Sequence, residues 1–155
     1  ALVTVARTWG SAPRPAGAWM ALRDDGRVQG SVSGGCIEDD LIDRMRDGRL
    51  TGSQPFVLTY GVTRDEAARF GLPCGGTLEL LVEPAPEPAR LAELSARIEA
   101  GQLVRRDVDI DTSTVAVADH VVASLGGSRR SAAAGVSTKS AAATMRRGCV
   151  PPVPR

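Results

Sequence analysis

The apolar positions of this chain fall into short runs with two different periods. Leu2 to Thr8 (LVTVART) is rich in β-branched residues and predicts a strand. Ala18 to Arg23 and Arg27 to Val32 flank Asp24-Asp25-Gly26, and Asp-Gly between apolar segments predicts a hairpin. Ile37, Leu41, Ile42 and Met45 recur at helical spacing. Acids fill the first turn of that helix and arginines its last, as the helix dipole favours, and Gly48 supplies a stop. Pro55 to Tyr60 predicts another strand, and the capping-box spacing from Thr63 to Glu66 opens a short helix through Phe70. Thr77 to Glu83 (TLELLVE) alternates, with Leu78, Leu80 and Val82 on one face, as in a half-buried strand or one near a sheet edge. Ala89 to Ala100 turns Leu91, Leu94 and Ile98 to one side and ends at Gly101. Val104 to Asp111 and Ser113 to Ala118 read as weaker strands. This interleaving predicts an α/β or α+β domain, a mixed β-sheet layered with two or three helices.

The pattern stops near Leu125. Beyond it come Ala, Ser, Thr and Arg, then Pro151-Pro152-Val153-Pro154-Arg155, with no aromatic residue and few large aliphatic ones. Such a segment buries too little to offset chain entropy, so a disordered or aberrant C-terminal tail is expected. A shifted reading frame would give the same composition. Charge divides at the same place. Residues 1–119 hold all 18 acids against 13 arginines, whereas 120–155 hold five arginines and Lys139 with no acid. The expected organisation is one domain over 1–119 and a basic low-complexity tail over 120–155. The chain opens without Met on an apparent strand, which implies that the domain's extreme N-terminus lies upstream.

Composition narrows the function classes. A chain of 155 residues, 43% apolar, suits one soluble domain with a real core. No apolar run approaches the ~20 residues that span a bilayer, and no basic flank precedes an apolar leader. Three cysteines without regular spacing do not make a disulfide framework, so reduced thiols in a cytoplasm are expected. Nucleotide and nicotinamide fingerprints and the H-E-x-x-H zinc motif are absent from the sequence. The basic tail lacks interleaved aromatic residues, so neither nucleic acid nor membrane is an expected partner. His120 reads as an ordinary surface histidine, and no catalytic pair or closed zinc set is legible.

Two glycine–cysteine motifs carry the chemistry. In Ser33-Gly34-Gly35-Cys36 and Cys74-Gly75-Gly76, a thiol sits beside residues that let a ligand approach the backbone. Buried cysteines and glycine turns are common, but two such motifs at element boundaries of one small domain are less so. Cys36 falls at a helix start, where free N–H groups suit anions; Glu38, Asp39 and Asp40 oppose that in part. A third candidate is the loop Trp9 to Gly17, where Pro13 and Pro15 hold Arg14 in a stiff, extended segment. A fixed guanidinium can grip a phosphate or carboxylate with two parallel bonds. Trp9 and Trp19 read as core or loop-packing residues.

Three stretches together resemble the XdhC/CoxI family, in its N-terminal domain. They are Arg7-Thr8-Trp9-Gly10-Ser11-Ala12-Pro13-Arg14-Pro15, Gly30-Ser31-Val32-Ser33-Gly34-Gly35-Cys36-Ile37-Glu38 and Phe70-Gly71-Leu72-Pro73-Cys74-Gly75-Gly76-Thr77-Leu78-Glu79. The resemblance covers about Leu2 to Val82 and fades by Val117. It implies an accessory protein, more a chaperone than an enzyme. Such a protein binds the molybdenum cofactor (molybdopterin), keeps it available to a cysteine desulfurase and delivers it to a xanthine dehydrogenase or CO dehydrogenase-type hydroxylase. A homodimer is a further option. Under the cofactor-binding reading, Cys36 and Cys74 would approach the molybdenum or the transferred sulfur, Ser33, Gly34, Gly35, Gly75 and Gly76 would shape the cradle, and Arg14 would hold the phosphate. The family pattern continues into a Rossmann-like domain, and the tail shows no strand followed by a glycine fingerprint. A cysteine-based sulfur-transfer or thiol oxidoreductase enzyme, and a partner-docking module or inactive fragment, are the alternatives.

Overall fold

The computed structural model describes residues 1–10, 12–61, 65 and 76–119, together with the backbone of 140–145. The elements run β1 (Leu2–Trp9), β2 (Trp19–Leu22), β3 (Val28–Gly30), α1 (Cys36–Arg46), β4 (Phe56–Tyr60), β5 (Thr77–Glu83), α2 (Pro88–Glu99), β6 (Val104–Asp109), β7 (Val115–Asp119) and β8 (Ser140–Met145). Five strands form one sheet in the order β3-β2-β1-β5-β4, and three form a second in the order β7-β6-β8. Each described pairing is antiparallel, which places the layered architecture on the α+β side of the expected class.

Strand alternation distributes the core to both faces of the larger sheet. Val3, Val5, Met20, Leu22, Leu78, Leu80 and Val82 meet Ile37 and Leu41 of α1. On the other face, Leu2 and Trp19 pack with Leu94 and Ile98 of α2 and Val104, and Leu81 packs with Val108. The larger sheet is therefore the middle of three layers, between α1 and the small sheet with α2.

Local chemistry accounts for the turns and helix ends. Arg23 and Arg27 close the β2–β3 turn through an N–H···O bond of 2.9 Å, and Gly26 takes a φ of 84° there. Pro88 opens α2, where its missing N–H costs nothing. Gly101, at a φ of 79°, follows its last turn.

Two features differ from the pattern in the sequence. β5 is no edge: it lies between β1 and β4, and its second face is covered by the small sheet. Its acids are accommodated by ion pairs, Glu79 with Arg7 at 3.7 Å and Glu83 with Arg106 at 2.5 Å. Within the tail, Ser140–Met145 is an outer strand laid against β6; backbone bonding can hold such a strand without large side chains. Other residues of 120–155, and all of the helix expected over 63–70 except Asp65, lie outside the described residues.

Candidate functional site

Antiparallel pairing brings the first and third motif stretches to one end of the larger sheet, and Arg14 of the first bonds to Ser31 of the second. β1 and β4 end there and β5 begins there, since Trp9 pairs with Thr77 and Tyr60 with Leu78; β3 stops short of it, at Gly30, which pairs with Met20 in the row of Val3. A register shift between Val5 and Arg7 marks a bulge in β1 just before this end. Gly10 then turns with a φ of 71°, and a Cβ on it would come within 3.3 Å of the Gly76 Cα. The first motif stretch thus lies directly on the third. Trp9 is 46% exposed at this end, unlike Trp19, which is buried as expected. Gly76 is buried, whereas Cys74 and Gly75 lie outside the described residues.

The second stretch is built around one carboxylate. Glu38 Oε1 accepts the N–H groups of Val32, Ser33 and Gly34 at 3.0, 2.8 and 2.8 Å and the Ser31 hydroxyl at 2.9 Å. Its Oε2 accepts the Gly35 N–H at 2.9 Å and the Ser33 hydroxyl. Gly35 is the N-cap of α1 and has no side chain, so only the Glu-to-backbone half of a capping box exists here. The amides of Val32 to Gly35, just ahead of the helix, are thus all bonded to this residue. Gly34 holds a φ of 90°, which lets consecutive N–H groups converge.

Burial pushes the Glu38 carboxyl up; hydrogen bonds from Gly34, Ser33 and Gly35 outweigh it and hold the group well below its ordinary value of 4.5. A carboxyl depressed by folding stabilises the fold above its ordinary value, and that contribution is lost only as pH falls through the lower, folded one. Amide-exchange protection at Ser33 to Gly35 is therefore expected to persist from neutral pH down to about 4, and to vanish throughout in Glu38→Ala. Protection that fades through pH 4.5 in the parent would contradict this.

Arg14 meets the same loop from the other side. Its Nε donates to Ser31 Oγ at 3.2 Å, and a Cβ on Gly34 would lie 3.7 Å from its Nη2. Arg14 is exposed and forms no ion pair among the described residues. Cys36 opens α1 as a free, exposed thiol.

A second cluster anchors the helix behind the loop. Asp40 Oδ2 accepts the Tyr60 hydroxyl at 2.7 Å and the Arg44 Nε at 2.5 Å, and Arg44 stands 5.9 Å from the Tyr60 ring centre. Burial and the bond to Asp40 push the Tyr60 phenol up, so it stays a protonated donor. This cluster fixes α1 to the end of β4. A separate cavity, lined by Ser53, Glu83, Arg90 and Ser113 among others, lies toward the opposite end of β5 and includes none of the motif residues. Among the described residues no group of three His, Cys, Asp or Glu side chains could hold a metal ion, and no helix is long and apolar enough to cross a membrane.

The model of the XdhC and CoxI family matches residues 1–61, which contain the loop, its glutamate and Cys36. Over this stretch the chain is similar to the XdhC and CoxI family. The chain is 33% identical over 107 residues to the molybdenum cofactor insertion chaperone PaoD of Escherichia coli strain K12, covering 63% of this chain and 30% of that one. It is 28% identical over 118 residues to a probable xanthine dehydrogenase subunit of Bacillus subtilis strain 168, covering 72% of this chain and 35% of that one. The XdhC and CoxI match thus lies in a chain that spans about a third of the length of these curated relatives. Its fold is also similar to that of a crystal structure described as a xanthine dehydrogenase from Bacillus halodurans. The TM-score is 0.60 at 23% identity, over 92% of this chain and 47% of that one.

Proposed function

We propose that this chain binds the molybdenum cofactor and serves as an accessory chaperone in maturing a xanthine dehydrogenase or CO dehydrogenase-type hydroxylase. The observation that carries the reading is the loop after β1, which joins the motif stretches: Gly10 lies against Gly76, and Arg14 meets Ser31 and Gly34. Its guanidinium is exposed with no ion pair among the described residues, and the exposed Cys36 thiol follows Gly34 and Gly35 in the chain. The chemistry of this donor set fits the cofactor, which would bring an anionic phosphate, a dithiolene and a thiophilic metal. Arg14 would hold the phosphate, and Cys36 and Cys74 would face the metal or a transferred sulfur. Ser33, Gly34, Gly35, Gly75 and Gly76 would shape the walls; a Cβ on Gly35 would meet nothing within 4 Å, so the approach there is open. The amides beneath these walls are committed to Glu38, which leaves the phosphate to Arg14.

The relatives' names support the same direction, one being an insertion chaperone for this cofactor and the other a probable subunit of a xanthine dehydrogenase. The proposed partners are a cysteine desulfurase and the target hydroxylase. Residues 1–119 are the proposed functional domain, and the cytoplasm is its proposed location.

The test is co-elution. The 155-residue chain, mixed anaerobically with molybdenum cofactor and passed through a sizing column, is expected to retain pterin and molybdenum together. Cys36→Ala and Cys74→Ala are each expected to weaken retention by roughly tenfold, the scale of one strong polar contact. Equal retention by both variants would remove the cysteines from the site. A persulfide on either thiol, formed without cofactor, would favour a sulfur-transfer enzyme instead.

A further inference from the structure

We propose that Ser31 and Glu38 are positioning residues that aim the Arg14 guanidinium at an anionic group of the ligand. The inference rests on the cofactor-binding reading and adds a relay to it. A serine hydroxyl has one proton to give. Ser31 gives it to Glu38 Oε1 at 2.9 Å, so toward Arg14 it presents only lone pairs. Arg14 Nε–H donates into them at 3.2 Å. That bond fixes the guanidinium plane and leaves its outer edge, the four N–H groups on Nη1 and Nη2, for a planar or tetrahedral oxyanion.

Three further observations agree. Pro13 and Pro15 restrict the backbone on either side of Arg14. Gly34 faces Nη2 without a side chain to crowd it. Glu38 is saturated by the Val32 to Gly35 amides and two hydroxyls, so its charge is spent on the loop and forms no ion pair with Arg14. Without the carboxylate, Ser31 would be free to rotate and donate elsewhere, and the guanidinium would lose its fixed edge.

The relay is measured first in the ligand-free chain, through the solvent-exchange rate of the Arg14 Nε–H in nitrogen-labelled protein. Slow exchange is expected in the parent and in Ser31→Thr, which keeps the hydroxyl, and fast exchange in Ser31→Ala and Glu38→Ala. Cofactor affinity is then titrated for the parent, Arg14→Ala, Ser31→Ala, Ser31→Thr and the Arg14→Ala/Ser31→Ala double variant. Ser31→Ala is expected to weaken binding roughly three- to tenfold, Arg14→Ala at least as much, and the double variant no more than Arg14→Ala alone. Both single alanine variants should also flatten the salt dependence of binding, which a general loss of stability would not do. Ser31→Thr should bind as the parent does. Losses that multiply in the double variant, or rapid Nε–H exchange in the parent, would overturn the relay while leaving cofactor binding intact. A parent that shows slow exchange but binds no cofactor would overturn the cofactor reading and the relay's role in it.

Discussion

Arg106→Ala is expected to destabilise the fold by about 3–5 kcal/mol, the range for removing one partner of a buried ion pair. Arg106 on β6 and Glu83 at the end of β5 are only 2% and 4% exposed. Their bonds are bidentate, Nη1 to Oε2 at 2.5 Å and Nη2 to Oε1 at 2.6 Å. Truncating the arginine leaves the Glu83 carboxylate between two sheets with its partner gone. The pair also pins the small sheet to the larger one. Denaturant unfolding of the parent, Arg106→Ala and an Arg106→Met/Glu83→Leu double variant measures this. The double variant should lie much nearer the parent, because two apolar groups need no mutual compensation. An Arg106→Ala midpoint equal to the parent's would show that the layers are held without this pair.

Gly30→Ala is expected to cost about 2–4 kcal/mol, through backbone strain and a clash that the sheet cannot relieve. Gly30 closes β3 at a φ of 91°, where a side chain is strained. A Cβ there would collide with the Trp19 carbonyl oxygen and come within 3.2 Å of the Met20 Cα. The same Trp19 oxygen accepts the Ser31 N–H at 3.2 Å, so the collision falls on the bond that launches the Ser31–Gly35 loop. The variant should therefore melt early and also lose exchange protection at Ser33 to Gly35. By contrast, Gly48→Ala tests φ strain without a clash, since a Cβ there meets nothing within 4 Å, and it should cost less. Equal melting of Gly30→Ala and the parent would contradict the account of this turn.

Most elements are legible in the sequence because their signals are local. The spacing of Ile37, Leu41 and Met45, the Asp-Gly turn and the alternation of Leu78, Leu80 and Val82 each mark an element without help from distant residues. The position of β5 is not legible. Glu79 and Glu83 alternate like solvent-facing residues, and only the arrival of Arg7 and Arg106 from other strands makes that face an interior one. The strand Ser140–Met145 has the same explanation: its pairing with β6 depends on backbone geometry that composition does not encode.

The candidate site divides in the same way. The motif stretches and the thiol at the helix start are readable, whereas the bond from Arg14 to Ser31 that joins two of the stretches is not. In the sequence Glu38 looks like a charge opposing the thiol, whereas in the fold it organises the loop beside that thiol. The signal is present: a glutamate three residues past the helix N-cap, preceded by two serines. Trp9 has the character of a packing residue and is half exposed, because the chain leaves the sheet immediately after it at Gly10.

The central claim is that the molybdenum cofactor binds beside Arg14 and the Ser31–Gly35 loop, where Cys36 is exposed. The most direct measurement is the alkylation rate of Cys36 in the full chain, read by mass spectrometry with and without saturating cofactor. The account predicts protection of roughly tenfold or more at Cys36, as expected for a ligand that occupies its surroundings most of the time. An alkylation rate unchanged by cofactor would contradict it.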